Sequence, residues 1–216
     1  MTALKPKAKR GRPADPAKRQ AILETARRLF LEHGYGIGLE TIAAEAGVSR
    51  QTIYNLFEGK DDLFAAIVQA TAGTITAPLA DIAPGSGPRE VLQLLGQSYL
   101  RVLTTERSTS FQRLLINSAP QFPSIGPTFY ANGPGNGLAR LADYLGREAK
   151  AGRLSITDTR LAAEQFFGML IGHNTIRRLL KLEPGGMPEA EIERRVSSAV
   201  RVFLAAYSAS DLDAIS

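Results

Sequence analysis

The sequence predicts an all-α protein in two parts, an N-terminal unit of three helices and a larger C-terminal helical domain. Three observations carry that reading. Apolar residues recur at i, i+3 and i+4 through nearly every long segment, and no segment makes a convincing strand. Gly and Pro gather into short clusters that separate those segments, above all at 82–88 (IAPGSGP) and Pro184-Gly185-Gly186. Finally, Ala46-Gly47-Val48 lies between two short apolar stretches, with glycine where a tight turn needs a positive φ.

The first helix starts near Pro16, a favoured first-turn residue, with Asp15 as its cap. Ile22, Leu23, Ala26, Leu29 and Phe30 form its apolar stripe, and Gly34 stops it. In the second helix, Leu39, Ile42, Ala43 and Ala46 share one face. Ser49 then stands at an N-cap position. The third helix turns Ile53, Leu56 and Phe57 inward, which leaves Arg50, Gln51, Tyr54 and Asn55 facing solvent. This is the layout of a helix-turn-helix unit whose second helix enters the DNA major groove. A fourth helix begins at Lys60 or Asp61, where two aspartates suit the positive end of the helix dipole. It buries Leu63, Phe64, Ile67 and Val68, reaches residues 77–78 and joins the two parts.

Each polar residue of the third helix has a chemical role to offer. Arg50 can pair with guanine through two parallel hydrogen bonds, and Gln51 can do the same with adenine. Thr52, Tyr54 and Lys60 suit phosphate oxygens, and Ser49 and Asn55 complete the candidate DNA-facing set. The blander alternative for each is an exposed polar side chain.

Charge points the same way. Up to Gln20 there are seven Lys or Arg against the single acid Asp15, a surplus of six. The whole chain nets +5, so the remainder is slightly acidic and the basic charge is a local arm. Within it, Lys9-Arg10-Gly11-Arg12-Pro13 resembles the core of AT-hook segments, in which extended arginines such as Arg10 and Arg12 enter the minor groove. A solvated tail that attracts phosphate nonspecifically is the other reading.

The stretch AEAGVSRQTIYNLFEGKDDLF resembles the DNA-binding signature of the TetR family of bacterial transcriptional regulators, matching nearly every fixed position between Ile42 and Phe64. Further along, RLLINSAPQFPSIGPTFYANGPGNGLARLADYLGREAKAGRL and LAAEQFFGMLIG are similar to an AcrR/AefR-like ligand-binding domain. Two departures stand out. Gly38 occupies a place where relatives commonly carry a Ser or Thr cap that touches phosphate, and Leu56 replaces a commoner polar residue.

After the 82–88 linker, helical spacing covers 89–105 and 109–119. Prolines 120, 123 and 127 and Gly133-Pro134-Gly135 then cut the chain into short pieces. Periodicity resumes over 138–151, and two long helices follow at 157–182 and 188–208. In the last of these, Ile192, Val196, Ala199, Val200, Phe203 and Tyr207 make a continuous stripe. The helix before it is apolar on more than one side, which calls for a partner beyond its own domain. The resemblance implies a homodimer through a four-helix bundle of these two helices from each subunit, with Phe166, Ile176, Leu180, Val196, Val200, Phe203 and Tyr207 at the interface. Two-fold symmetry would set the recognition helices roughly 34–36 Å apart, or a multiple, on a palindromic operator.

The resemblance also implies a small-molecule effector held among the fifth to eighth helices. Tyr99, Phe111, Leu115, Phe129, Tyr130, Phe166, Phe167 and Leu170 are candidate lining residues, and Asn117, Gln165, His173 and Asn174 candidate polar anchors. Residues 1–14 are then expected to be a disordered basic arm, 15–60 the DNA-binding unit, 61–80 a connecting helix and 81–216 an effector-binding and dimerisation domain.

There is no GxSxG elbow, Gly-rich phosphate loop, HExxH or Cys nucleophile, so no enzyme, cofactor or metal site is expected. The lack of Cys suits a cytoplasmic protein. No apolar run approaches the roughly 18 residues of a membrane span, so no membrane partner is expected. An architectural DNA binder without an effector is a third class, against which the elaborate C-terminal half argues.

Overall fold

The computed structural model describes residues 16–83 and 85–209. Eleven helices and no strand occur among them: α1 (Pro16–His33), α2 (Leu39–Glu45), α3 (Arg50–Leu56), α4 (Lys60–Ala80), α5 (Pro88–Leu103), α6 (Glu106–Ser118), α7 (Ile125–Asn132), α8 (Pro134–Lys150), α9 (Thr159–Ile171), α10 (Asn174–Leu179) and α11 (Glu189–Tyr207). The basic arm and the Asp15 cap lie outside the described residues.

Two apolar cores organise the chain, and α4 belongs to both. Leu63, Phe64, Ile67 and Val68 pack with Ile22, Phe30, Ile42 and Ile53 of the head. About two and three turns later, Ile75 and Leu79 pack into the body with Leu92, Leu141, Phe166 and Phe203. The helix therefore touches α1 on one side and α5, α7 and α8 on the other. Over an 18-residue window its mean hydropathy reaches 1.5, enough in length and composition for a membrane span, contrary to the sequence expectation. Gln69, Gly73, Pro78 and three threonines interrupt its apolar residues, so a search for one unbroken run passes it over. Half of that window is buried against neighbouring helices.

Pro78 sits in the last turn of α4 and cannot donate to the Thr74 carbonyl. The Ser98 hydroxyl of α5 donates to that carbonyl instead, at 3.0 Å. This substitution lets α4 run past the proline to Ala80.

Boundaries differ from the sequence reading where tertiary partners intervene. The 157–182 segment is two helices, because Gly172 adopts φ 45° and ends α9 by donating to the Gly168 carbonyl. The short α10 is then pinned sideways. Arg178 is buried and donates to the carbonyls of Thr104 and Gly185 and to the Asn174 side chain. Arg113 of α6 donates to the carbonyls of Leu179 and Arg178. At the other end, α6 starts at Glu106 rather than 109, since Thr105 caps it by accepting from the Ser108 N–H at 3.1 Å. Pro134 opens α8 four residues before the expected start. Leu56 is only half buried, and Phe57 completes the α3 core contact from an extended residue beyond the helix.

Close packing of α5 on α11 depends on Gly96. A Cβ there would meet Val196 at 2.9 Å and Leu170 at 3.3 Å. Gly96→Ala would gain up to about 1 kcal/mol of helix propensity. Overpacking a stiff β-branched neighbour costs about 1–3 kcal/mol. The expected outcome is a net loss of stability in chemical denaturation; a stabilised protein would show that α5 and α11 are not in tight contact.

Candidate nucleic-acid interface and ligand cavity

The head is built around α3. Ser49 has extended backbone, and its hydroxyl accepts from the Thr52 N–H at 3.1 Å, a cap worth about 1 kcal/mol. Its hydroxyl also meets that of Thr52 at 2.9 Å. Gly47 takes φ 65° in the turn before it, which only glycine adopts without strain. Gly38 caps α2 through extended backbone with no side-chain hydrogen bond.

The exposed face of α3 is pre-organised by pairs one turn apart. Arg50 donates to the Tyr54 hydroxyl at 3.3 Å with its guanidinium over the Tyr54 ring, and it bridges to Glu40 of α2 at 2.9 Å. Gln51 donates to Asn55 at 3.0 Å. Ser49, Arg50, Gln51, Tyr54 and Asn55 are all exposed on one surface, with Thr52 half buried at its edge. The partnership with Glu40 was not anticipated, because nothing in the spacing of α2 sets it apart from other exposed acids.

Lys60 is placed differently from the rest of that set. Its ammonium donates to the Ile37 carbonyl at 3.3 Å and lies over the rings of Tyr35, at 4.9 Å, and Phe122, at 5.5 Å. Phe122 comes from the α6–α7 connection, so this lysine ties the head to the body. Beside it, the Tyr35 hydroxyl donates to Asp61 at the start of α4. Burial, reinforced by that carboxylate, pushes the Tyr35 phenol far above its ordinary range. The ring contacts continue inward: Tyr35 meets Phe64 edge-on at 5.3 Å, and Phe64 stacks on Phe111 of α6 at 5.6 Å.

Phe111 also faces a cavity of about 1010 Å³, at the top of the range for small-molecule sites. Its wall draws on α1 and on α4 to α10. Tyr99, Phe111, Leu115, Phe129 and Phe167 line it, with Tyr99 and Phe167 in ring contact at 4.6 Å. The other proposed ligand residues lie outside this lining. Phe166 and Leu170 are fully buried in the body core. Tyr130, Asn117 and His173 are exposed and do not line the cavity. Asn174 holds Arg178 and Glu183, and Gln165 accepts from Tyr207 at 2.5 Å. Periodicity identifies apolar faces but cannot say which of them leaves a void. Missed wall residues include Arg27, Thr71, Thr76, Arg107 and Gly137. The threonines spaced along the otherwise apolar α4 were the available signal.

The proposed dimer residues also divide. Phe166, Val196, Val200 and Phe203 are buried within this chain's own core. Ile176 and Leu180 are exposed, at 51% and 62%, and Tyr207 is half buried. The continuous stripe of α11 is thus the core-facing side.

A helix-turn-helix head carried on a helical body with a partly open cavity defines a class of transcriptional regulator. Residues 22–67 match the model for bacterial regulatory proteins of the tetR family, and residues 90–209 match that for the C-terminal domain of AefR-like transcriptional repressors. The chain belongs to the TetR family, whose members are transcription regulators rather than enzymes. It is 38% identical over 77 residues to the HTH-type transcriptional repressor AcnR of Corynebacterium diphtheriae, a stretch covering 35% of this chain and 38% of that protein. The chain thus matches less than half the length of that relative. A TetR-family regulator from Mesorhizobium loti superimposes with a TM-score of 0.73 at 30% identity, over 89% of this chain and 98% of the other. The flavonoid-responsive regulator FrrA gives a TM-score of 0.71 at 28% identity, over 91% and 100%.

The inward setting of Lys60 has a measurable consequence. Lys60→Met is expected to lower unfolding stability by roughly 1 kcal/mol through loss of the cation–π and carbonyl contacts. Unchanged stability would mean that the ammonium is free in solution.

Proposed function

We propose that this regulator is a homodimeric repressor, released from a palindromic operator by a small, largely apolar effector. The observation that carries the reading is the position of the cavity. Its wall includes Glu24 and Arg27 of α1 and seven residues between Ile67 and Ile75 of α4, the two helices that support α2 and α3. A molecule seated there bears directly on the placement of the recognition helix. The flavonoid-responsive function of the similar FrrA agrees with a small-molecule signal.

In this reading residues 15–60 bind DNA, 61–80 connect, and 81–216 hold the effector and the partner subunit, with the arm at 1–14, including Arg10 and Arg12, adding phosphate contacts. Arg50 and Gln51 read bases, and Ser49, Thr52, Tyr54 and Asn55 hold the backbone. Lys60 orients the head and contributes charge near the phosphates. Such a role places the protein with its DNA in the cytoplasm.

The dimer face in this proposal is the outward side of α9 and α11. Leu161, Met169 and Val202 are exposed there at 49%, 37% and 50%, beside the small Gly168 and Ala206. Ile176 of α10 and Leu180 at its C-cap are further exposed apolar side chains in the segment that follows α9. Large apolar side chains grouped on one surface mark an association site.

Fluorescence anisotropy on an operator duplex tests the DNA half. Arg50→Ala is expected to cost about 1–3 kcal/mol on the operator and to relax base preference at one position per half-site. Equal loss on operator and random duplex would show that α3 does not read sequence. Met169→Glu with Val202→Arg is expected to yield a folded monomer by sedimentation, with operator affinity largely lost. A dimer that survives both changes would place the interface elsewhere.

A further inference from the structure

The cavity wall is mainly apolar, yet five charged side chains border it: Glu24, Arg27, Arg101, Arg107 and Glu164. Three arginines against two glutamates leave one positive charge. Four of the five have charged partners. Arg107 donates to Glu24 at 2.6 Å, Arg101 pairs with Glu189 of α11, and Glu164 lies 3.6 Å from Arg160.

Arg27 is the exception. Its guanidinium donates to two neutral acceptors, the Ile67 carbonyl at 3.2 Å and the Thr71 hydroxyl at 2.9 Å. Among the described residues it forms no ion pair. Burial is the main influence lowering its pKa, helped by the nearby charge of Arg107 and opposed by Glu24. An arginine does not lose its proton under these conditions, so it remains a half-buried cation beside an apolar void. A charge in that setting is best satisfied by an anion that brings its own apolar surface.

We propose that the cavity takes a small amphipathic anion, an oxyanion on an apolar body, whose charged oxygen sits on Arg27 and competes with Glu24 for Arg107. The Tyr99 hydroxyl supplies a neutral donor elsewhere in the wall, since no hydrogen bond engages it among the described residues. Competition at Arg107 has a structural consequence. Glu24 is on α1 and Arg107 on α6, so their bond ties the head to the body across 83 residues of chain. Both side chains are about half exposed, at 44% and 50%, and an exposed pair is weak enough to exchange partners. An anion that takes Arg107 removes one tether from α1 and favours the arrangement in which the head is freer.

This inference rests on the effector reading, and matched ligands separate the two. Calorimetric titration of the full chain compares dodecanoate with dodecanol, and biphenylcarboxylate with biphenylmethanol. In at least one pair the anion is expected to bind about tenfold more tightly than its alcohol. Arg27→Gln should bring that ratio to within about twofold while the alcohol's affinity stays unchanged, and Arg27→Lys should retain the preference. Glu24→Gln should tighten the anion several-fold and leave the alcohol unaffected. Equal binding of anion and alcohol in both pairs, or a preference that survives Arg27→Gln, overturns the anion assignment and leaves the effector reading standing. Failure of all four compounds to bind overturns both.

Discussion

The interaction on which this structure depends is the sharing of α4 between two cores. Its N-terminal half completes the head, its C-terminal half is set into the body, and the cavity opens along the stretch between them. The head core is not closed by its own residues. Leu115 and Ile125, from α6 and α7, are buried in it, and Phe111 and Phe122 pack against it. Interiors packed at crystal-like density transmit displacement instead of absorbing it. A shift of α6 must therefore be answered by Phe64 and Tyr35, and through them by the start of α4 and the Lys60 contacts.

Geometry of this kind supports regulation only with a thermodynamic condition attached. An occupant changes operator affinity only as far as it prefers one arrangement of head and body over the other. The side chains that both line the cavity and pack on the head are where such a preference can arise. Phe111, Leu115 and Phe129 belong to both sets. Arg27 and Glu24 are their polar counterparts on α1. A cavity confined to the body core would have no comparable purchase on α1 or on the first half of α4.

Much of this was legible in the sequence because local chemistry decides it. The Ser49 cap, the Gly47 turn and the buried Ile53 follow from residue type and spacing. So does the exposure of Arg50, Gln51, Tyr54 and Asn55. What was not legible depends on partners far along the chain. The inward turn of Lys60 requires Phe122, more than sixty positions away. The passage of α4 through Pro78 requires a hydroxyl from α5. The apolar stripe of α11 was visible, but a stripe fixes a face and not what covers it, and here the chain's own core does so. Likewise a void is a property of how helices fail to meet, so periodicity named Phe166 and Leu170 for the cavity as readily as Phe167.

The central claim, that head and body form one packed unit through α4 and α6, is tested most directly by hydrogen exchange on the full chain carrying Phe111→Ala. Removing a ring that stacks on Phe64 should raise exchange along α1 and the first half of α4 while leaving α11 protected as in the parent. Increased exchange confined to α6, with the head unchanged, would contradict the account and make the two units independent.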